Sequence, residues 1–93
     1  MLTLDEARVI INEVDKEMAK LFEKRMGAVE HVVHYKMEKG LPILDAKREA
    51  EVIEKNLNLL ENEELKPYFK EFLEKAMEVS RNYQQSIVDA NKK

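Results

Sequence analysis

The chain has 93 residues, of which 38% are charged and 44% hydrophobic, with a formal net charge of −3 and no cysteine. This length predicts one small domain over residues 1–93, and the lack of cysteine excludes a disulfide framework and a thiolate metal site or nucleophile. The acidic balance argues against a nucleic-acid partner, because phosphate binding needs an excess of Lys and Arg.

The N-terminus has neither a basic start nor an apolar run, so no signal peptide is expected. No segment approaches the roughly 20 consecutive apolar residues of a membrane helix, so we expect no membrane partner. Together these features predict a cytoplasmic protein.

The first predicted element is a helix of about 35 residues that ends near Gly40. Thr3 or Asp5 can cap its N-terminus, and Gly40 suits the C-terminal cap. At 1.5 Å per residue the helix is about 50 Å long and overhangs any three-helix monomer of this size. We therefore expect it to pack on a second copy of the chain. Its apolar residues recur in steps of three and four at Leu4, Ala7, Ile11, Val14, Met18, Leu21, Ala28 or Val29, and Val32.

Two shorter helices are predicted after Gly40. Asp45 reads as the N-cap of a second helix from Ala46 to about Leu60, and Pro67 as the first residue of a third helix. The chain is therefore predicted to be all-α, with three helices, one of them very long. The apolar stripe of the third helix is Phe69, Phe72, Leu73, Ala76, Met77, Tyr83 and Ile87.

Two cations interrupt the apolar stripe of the first helix. Arg25 and Lys36 are eleven residues apart, which is within about 20° of three full turns, so both project from one face. They lie about 16 Å apart along the axis and could converge on a small anion. The alternative is that both extend to solvent or pair with a glutamate of a neighbouring helix.

The third helix carries a similar anomaly at Ser80 and Gln84, which lie one turn apart on or beside its apolar stripe. Buried polar groups need partners, because an unpaired one costs about 1–3 kcal/mol. Taken singly, a side chain of this kind more often forms an interhelical hydrogen bond than a contact with a ligand.

Arg48 is unusual in the first turn of the second helix, where acidic residues are favoured. Glu49 could pair with it, or both could face a ligand that carries carboxylates and a hydroxyl. Arg8 lies 17 residues before Arg25, about 25 Å along the helix, and cannot reach the same pocket of its own chain. In an antiparallel dimer it could complete the partner's pocket; otherwise it is a surface arginine.

No metal site is predicted. His31 and His34 are spaced i, i+3 but have no cysteine beside them and are interpreted as surface residues. We find neither a glycine-rich phosphate loop nor a pattern for nucleophilic catalysis.

The ordered segments A-R-V-I-I-N-E-V-D, K-R-M, V-V-H-Y-K, G-L-P-I-L-D-A-K-R-E-A-E-V and S-R-N-Y-Q resemble the all-helical chorismate mutases of the AroQ class, from about Leu4 to Gln85. The resemblance implies an intertwined six-helix homodimer that isomerises chorismate, the product of the shikimate pathway, to prephenate in aromatic amino acid biosynthesis. It implies no cofactor.

The resemblance also implies roles for residues that contact the substrate's carboxylates. Arg25 matches a carboxylate-binding arginine on the first helix, and Arg8 matches the arginine given across the dimer interface. Ser80 falls where a serine contacts a carboxylate. Lys36 matches a lysine that contacts both a carboxylate and the ether oxygen.

The remaining implied roles lie at the ether oxygen and the ring hydroxyl. Gln84 falls at the second donor to the ether oxygen. Arg48 and Glu49 match an Arg-Glu pair whose glutamate accepts from the ring hydroxyl, and Asp45 matches a residue on that side. Gly27, inside the long helix, has no explanation in the sequence.

Three other interpretations stay open. An isochorismate-pyruvate lyase could use a similar cationic pocket on the same scaffold, and a mutase-like regulatory domain could bind the ligand without turnover. A purely structural helical dimer would make all eight polar positions accidental.

Overall fold

The computed structural model describes residues 1–92, and Lys93 lies outside the described residues. Three α-helices form the described chain, and no strand occurs within it, which confirms the all-α prediction. The helices are α1 (Leu4–Lys39), α2 (Ala46–Leu57) and α3 (Lys66–Ala90), with a short 3-10 helix (Glu63–Leu65) before α3.

The ends of α1 are fixed by side-chain and backbone caps. Thr3, not Asp5, is the N-cap: its hydroxyl accepts from the Glu6 N–H, and the Glu6 carboxylate accepts from the Thr3 N–H, both at 3.1 Å. The hydrogen bonds with the Thr3 backbone and side chain lower the pKa of Glu6. At the other end Gly40 has a φ of 65°, a left-handed conformation that glycine adopts without a steric penalty.

The second helix is shorter than its apolar pattern predicts. It begins after the Asp45 cap as expected, but it ends at Leu57 rather than near Leu60. The N–H groups of Leu59 and Leu60 bond to carbonyls three residues earlier, so the chain tightens into a turn there. The third helix begins at Lys66, which places Pro67 second in the helix rather than first.

The core forms where α3 packs against both α1 and α2. The Tyr83 hydroxyl of α3 also donates to the Glu30 carboxylate of α1, and this hydrogen bond raises the pKa of Tyr83. The buried hydrophobic residues are Val29 and Val33 of α1 and Leu73 and Met77 of α3. All of the buried α1 residues therefore lie in its C-terminal half.

The N-terminal half of α1 extends away from this core. The described chain measures 55 Å along its longest axis, close to the length of about 54 Å expected for a 36-residue helix. Within residues 1–92, no helix combines the length and apolar character needed to cross a bilayer. The large apolar residues that α1 exposes from its start to Phe22 are Leu4, Val9, Ile10, Ile11, Val14, Met18, Leu21 and Phe22.

Candidate active site

A cavity of about 300 Å³ is lined by residues of all three helices. This volume falls at the lower end of the roughly 300–1,000 Å³ typical of small-molecule sites. Seven of the eight site residues predicted from the sequence line it, and Arg8 does not. The lining residues are Arg25, Ala28, Val29, Val32, Lys36, Ile43, Asp45, Arg48, Glu49, Val52, Met77, Ser80 and Gln84.

Lys36 is held in place by two acceptors. Its ammonium donates to the Ile43 carbonyl at 2.6 Å and to Gln84 Oε1 at 3.4 Å. The Ile43 carbonyl belongs to the segment between α1 and α2. The turn that begins at Gly40 therefore determines the position of the Lys36 ammonium. An ammonium carries three protons, and two are used here, which leaves one for a ligand in the cavity.

The Lys36 contact fixes the orientation of the Gln84 amide. Because an ammonium can only donate, the amide oxygen must face Lys36 and the amide nitrogen must face away. That nitrogen donates to Ser80 Oγ at 3.3 Å, and both side chains are buried, with exposed fractions of 5% for Gln84 and 8% for Ser80. The serine hydroxyl and the second amide proton of Gln84 remain able to donate to a ligand.

Arg25 and Arg48 bring two guanidinium groups to the same cavity from α1 and α2. Neither of them, nor Lys36, forms an ion pair with a carboxylate of residues 1–92. The cavity therefore presents three cations that have no counter-charge bound to them, a combination suited to an anionic ligand.

The two carboxylates of the cavity have different partners. Asp45 caps α2, and its side chain accepts from the Arg48 N–H at 3.0 Å. Glu49 does not pair with Arg48, its neighbour in sequence; its Oε1 forms an ion pair with Arg81 of α3. The hypothesis that Glu49 neutralises Arg48 is therefore wrong for this structure.

Arg81 was not predicted from the sequence. The residue follows Met77 by four positions and precedes Gln84 by three, so it lies on the inward side of α3. That spacing was the available signal, but a charged residue beside an apolar stripe is usually on the solvated face. Arg81 does not line the cavity and reaches Glu49 from outside it.

The other predicted positions lie away from the cavity. Arg8 is exposed in the N-terminal half of α1, and His31 and His34 are exposed near its other end. Across residues 1–92, no group of three His, Cys, Asp or Glu side chains is placed to hold a metal ion.

Comparison with known proteins gives one family. The sequence model described as Chorismate mutase type II matches residues 7–85. The chain belongs to the type II chorismate mutase family. No curated protein and no solved structure gives a significant match.

Family membership identifies a chorismate mutase, an isomerase whose substrate is chorismate. The matched segment runs from α1 into the last turns of α3, so it contains every helix of the cavity. All eight site residues predicted from the sequence, from Arg8 to Gln84, also lie within it.

Proposed function

We propose that the cavity binds chorismate and converts it to prephenate by a unimolecular [3,3] rearrangement. The observation that carries this proposal is the convergence of three cations and a buried, oriented amide on one small cavity. A rearrangement within one molecule needs no nucleophile, acid or base. Catalysis then consists of holding the reactive conformer and stabilising the charge that develops in the transition state.

The cations hold the substrate in its compact form. Chorismate carries two carboxylates, which repel each other when the side chain folds over the ring. Arg25 and Arg48 can each bind a carboxylate bidentately, and the free hydroxyl proton of Ser80 can donate to one of them. Because the guanidinium groups carry no counter-charge within residues 1–92, substrate binding breaks no existing ion pair there.

Lys36 and Gln84 act on the ether oxygen. As the C–O bond breaks, negative charge develops on that oxygen, and donors aimed at it bind the transition state more strongly than the ground state. Lys36 and the second amide proton of Gln84 would be these donors. A preorganised donor of this kind is worth about 3–4 kcal/mol in the barrier.

Glu49 and Asp45 occupy the hydroxyl side of the proposed site. One oxygen of Glu49 pairs with Arg81, and the other is left to accept from the ring hydroxyl. Asp45 lies one turn earlier, where its carboxylate also orients the first turn of α2.

We also propose that the active form is a homodimer in which α1 of one copy runs antiparallel to α1 of the other. The row of exposed apolar residues on the N-terminal half of α1 supports this, because large exposed apolar patches mark association surfaces. An antiparallel arrangement brings the N-terminal half of one α1 beside the C-terminal half of its partner.

A second cavity supports the proposal that Arg8 of one copy reaches the site of its partner. An apolar groove of about 430 Å³ is lined by residues of α1, α2 and α3, and three of these residues, Arg25, Val52 and Met77, also line the candidate active site. A second copy seated in this groove is therefore next to the site. Arg8 of that copy would supply a further cation to the substrate's carboxylates.

The test of activity is the loss of chorismate absorbance after addition of pure protein, followed by identification of the product. Prephenate supports the proposal. Isochorismate is offered in parallel: salicylate and pyruvate from it, with no prephenate from chorismate, would assign the lyase reaction instead. Binding without turnover of either compound would assign a regulatory domain.

The test of the shared site is complementation between inactive chains. When Arg8→Ala and Lys36→Ala chains are unfolded together and refolded, half of the dimers are mixed, and each mixed dimer has one intact site. About a quarter of the wild-type activity should return. The matched control mixes Arg25→Ala with Lys36→Ala, which leaves both sites damaged and should restore nothing. Failure of the first mixture to exceed the control would refute a site built from two chains.

A further inference from the structure

The ion pair between Arg81 and Glu49 is a polar contact of the cavity wall whose arginine has no role in the proposed chemistry. Arg81 Nη1 donates to Glu49 Oε1 across the α2–α3 interface, and both side chains are largely covered, with exposed fractions of 31% and 22%. Glu49 lines the cavity, whereas Arg81 stands behind it.

Without Arg81, Glu49 would have other partners. A glutamate side chain has three rotatable bonds, and the cavity beside it contains the unpaired cations Arg25, Lys36 and Arg48. A free carboxylate at that position would pair with one of these cations. It would then occupy a group that the substrate's carboxylates need, and it would repel a dianionic ligand.

We infer that Arg81 is a positioning residue that holds Glu49 against the cavity wall, so that the site's cations stay available to the substrate and one glutamate oxygen faces the ring hydroxyl. This inference rests on the proposed function. Arg81 acts only through Glu49 and touches no substrate atom. A purely structural ion pair would only join α2 to α3, and its removal would change stability and not KM.

The effect falls on substrate binding rather than on the chemical step. Competition between Glu49 and the substrate weakens the ground state and the transition state alike, which raises KM and leaves kcat nearly unchanged. For Arg81→Met we expect about a tenfold rise in KM, with kcat within about threefold of wild type. A change of this size corresponds to the energy of a charged hydrogen bond between partly covered groups.

The experiment is a double-mutant cycle on chorismate turnover with Arg81→Met, Glu49→Gln and the two combined. A neutral amide at position 49 cannot compete for the cations, so Arg81→Met should change KM by less than about twofold in that background. Arg81→Lys keeps a cation behind Glu49 and should return KM to within about threefold of wild type. Circular dichroism confirms that each variant is folded.

Lys66→Met is the matched control. Lys66 also lies on α3 and pairs with a glutamate, Glu63, at 3.0 Å, but it lines neither cavity. It is 15 residues from Arg81, about 22 Å along the helix, and its removal should leave KM unchanged.

The outcomes separate the inference from the proposed function. Wild-type protein that makes no prephenate refutes the proposed function, whatever the Arg81 variants do. Active wild-type protein with an unchanged KM in Arg81→Met overturns only the inference. The inference is also overturned if Arg81→Met raises KM equally in the wild-type and Glu49→Gln backgrounds. A KM for Arg81→Lys as high as that for Arg81→Met overturns it as well.

Discussion

Replacing Gln84 by glutamate tests the proposed role of the amide most directly. The side chain is 5% exposed, and its oxygen lies 3.4 Å from the Lys36 ammonium, so Gln84→Glu changes one buried group with almost no change in shape. An ionised carboxylate at this position can accept from Lys36 but cannot donate to the ether oxygen. When the carboxyl is ionised, loss of one preorganised donor should raise the barrier by about 3 kcal/mol, which is a fall of about 150-fold in kcat.

The pH dependence gives the decisive signature. Only the protonated carboxyl can donate, so activity is present below the pKa of the introduced group and is lost as the pH rises through it. Burial raises that pKa and the Lys36 ammonium lowers it, but the slope does not depend on which effect is larger. Above the pKa, kcat should fall about tenfold per pH unit until it reaches a floor.

Three measurements complete the test of the amide. The assay is the initial rate of chorismate loss from about pH 4.5 to pH 8. Wild type, with a neutral amide, should not require an acidic medium. Gln84→Leu removes the donor and should be poor at every pH, while Gln85→Glu adds the same charge on the exposed side of α3 and should behave as wild type. A Gln84→Glu variant whose rate does not change with pH would refute the proposed donor.

Three further outcomes are expected. Lys36→Ala and Arg25→Ala should each lower kcat/KM by more than about a hundredfold while circular dichroism shows an unchanged helix content, because each removes a charged contact to the substrate; retention of most activity would contradict their assignment. Val33 is fully buried, so Val33→Ala should lower the free energy of unfolding by about 2 kcal/mol in urea titration. The pKa of Glu6 is lowered by its hydrogen bonds with Thr3, so its contribution to stability is present above its usual pKa of 4.5 and is lost as the pH falls through the folded-state value. Below pH 4.5 the melting temperature of wild type should therefore fall more steeply with decreasing pH than that of Glu6→Gln. Parallel plots of melting temperature against pH would exclude the capping contribution.

The parts of the fold that follow from local chemistry were predictable from the sequence. The caps at Thr3 and Gly40 depend on residues within one turn of the helix end, and helix periodicity identified Ser80 and Gln84 as polar groups on an apolar face. The same periodicity placed Arg25 and Lys36 on one face of α1, and both line the cavity.

The parts that depend on tertiary geometry were not predictable. The end of α2 at Leu57 was missed because apolar spacing continues to Leu60, although the backbone has already tightened into a turn. The partner of Glu49 was missed because Arg81 lies 32 residues further along the chain and meets it only when α2 and α3 pack. The Ile43 carbonyl that holds Lys36 is a backbone group, which residue identity cannot reveal.

The composition of the interior links stability to assembly. Residues 1–92 bury only four hydrophobic side chains, and the buried polar pair Ser80 and Gln84 occupies space on α3 that apolar residues would otherwise fill. A core this small contributes little to stability in a chain of this length. The N-terminal half of α1 exposes a row of large apolar side chains, and in the proposed homodimer a second copy of the chain covers them.

Unfolding should therefore depend on protein concentration. If the folded state is a dimer, a tenfold dilution lowers its stability by about 1.4 kcal/mol and moves the urea midpoint down. Ile11 is 56% exposed in the single chain. In a monomer, Ile11→Asp would therefore change the free energy of unfolding by about 0.5 kcal/mol or less. In a dimer interface, the same substitution buries an unpaired charge and lowers stability by several times that amount. A midpoint independent of concentration, together with a silent Ile11→Asp, would show that the single chain is sufficient, and a site that needs Arg8 from a second chain would then be untenable.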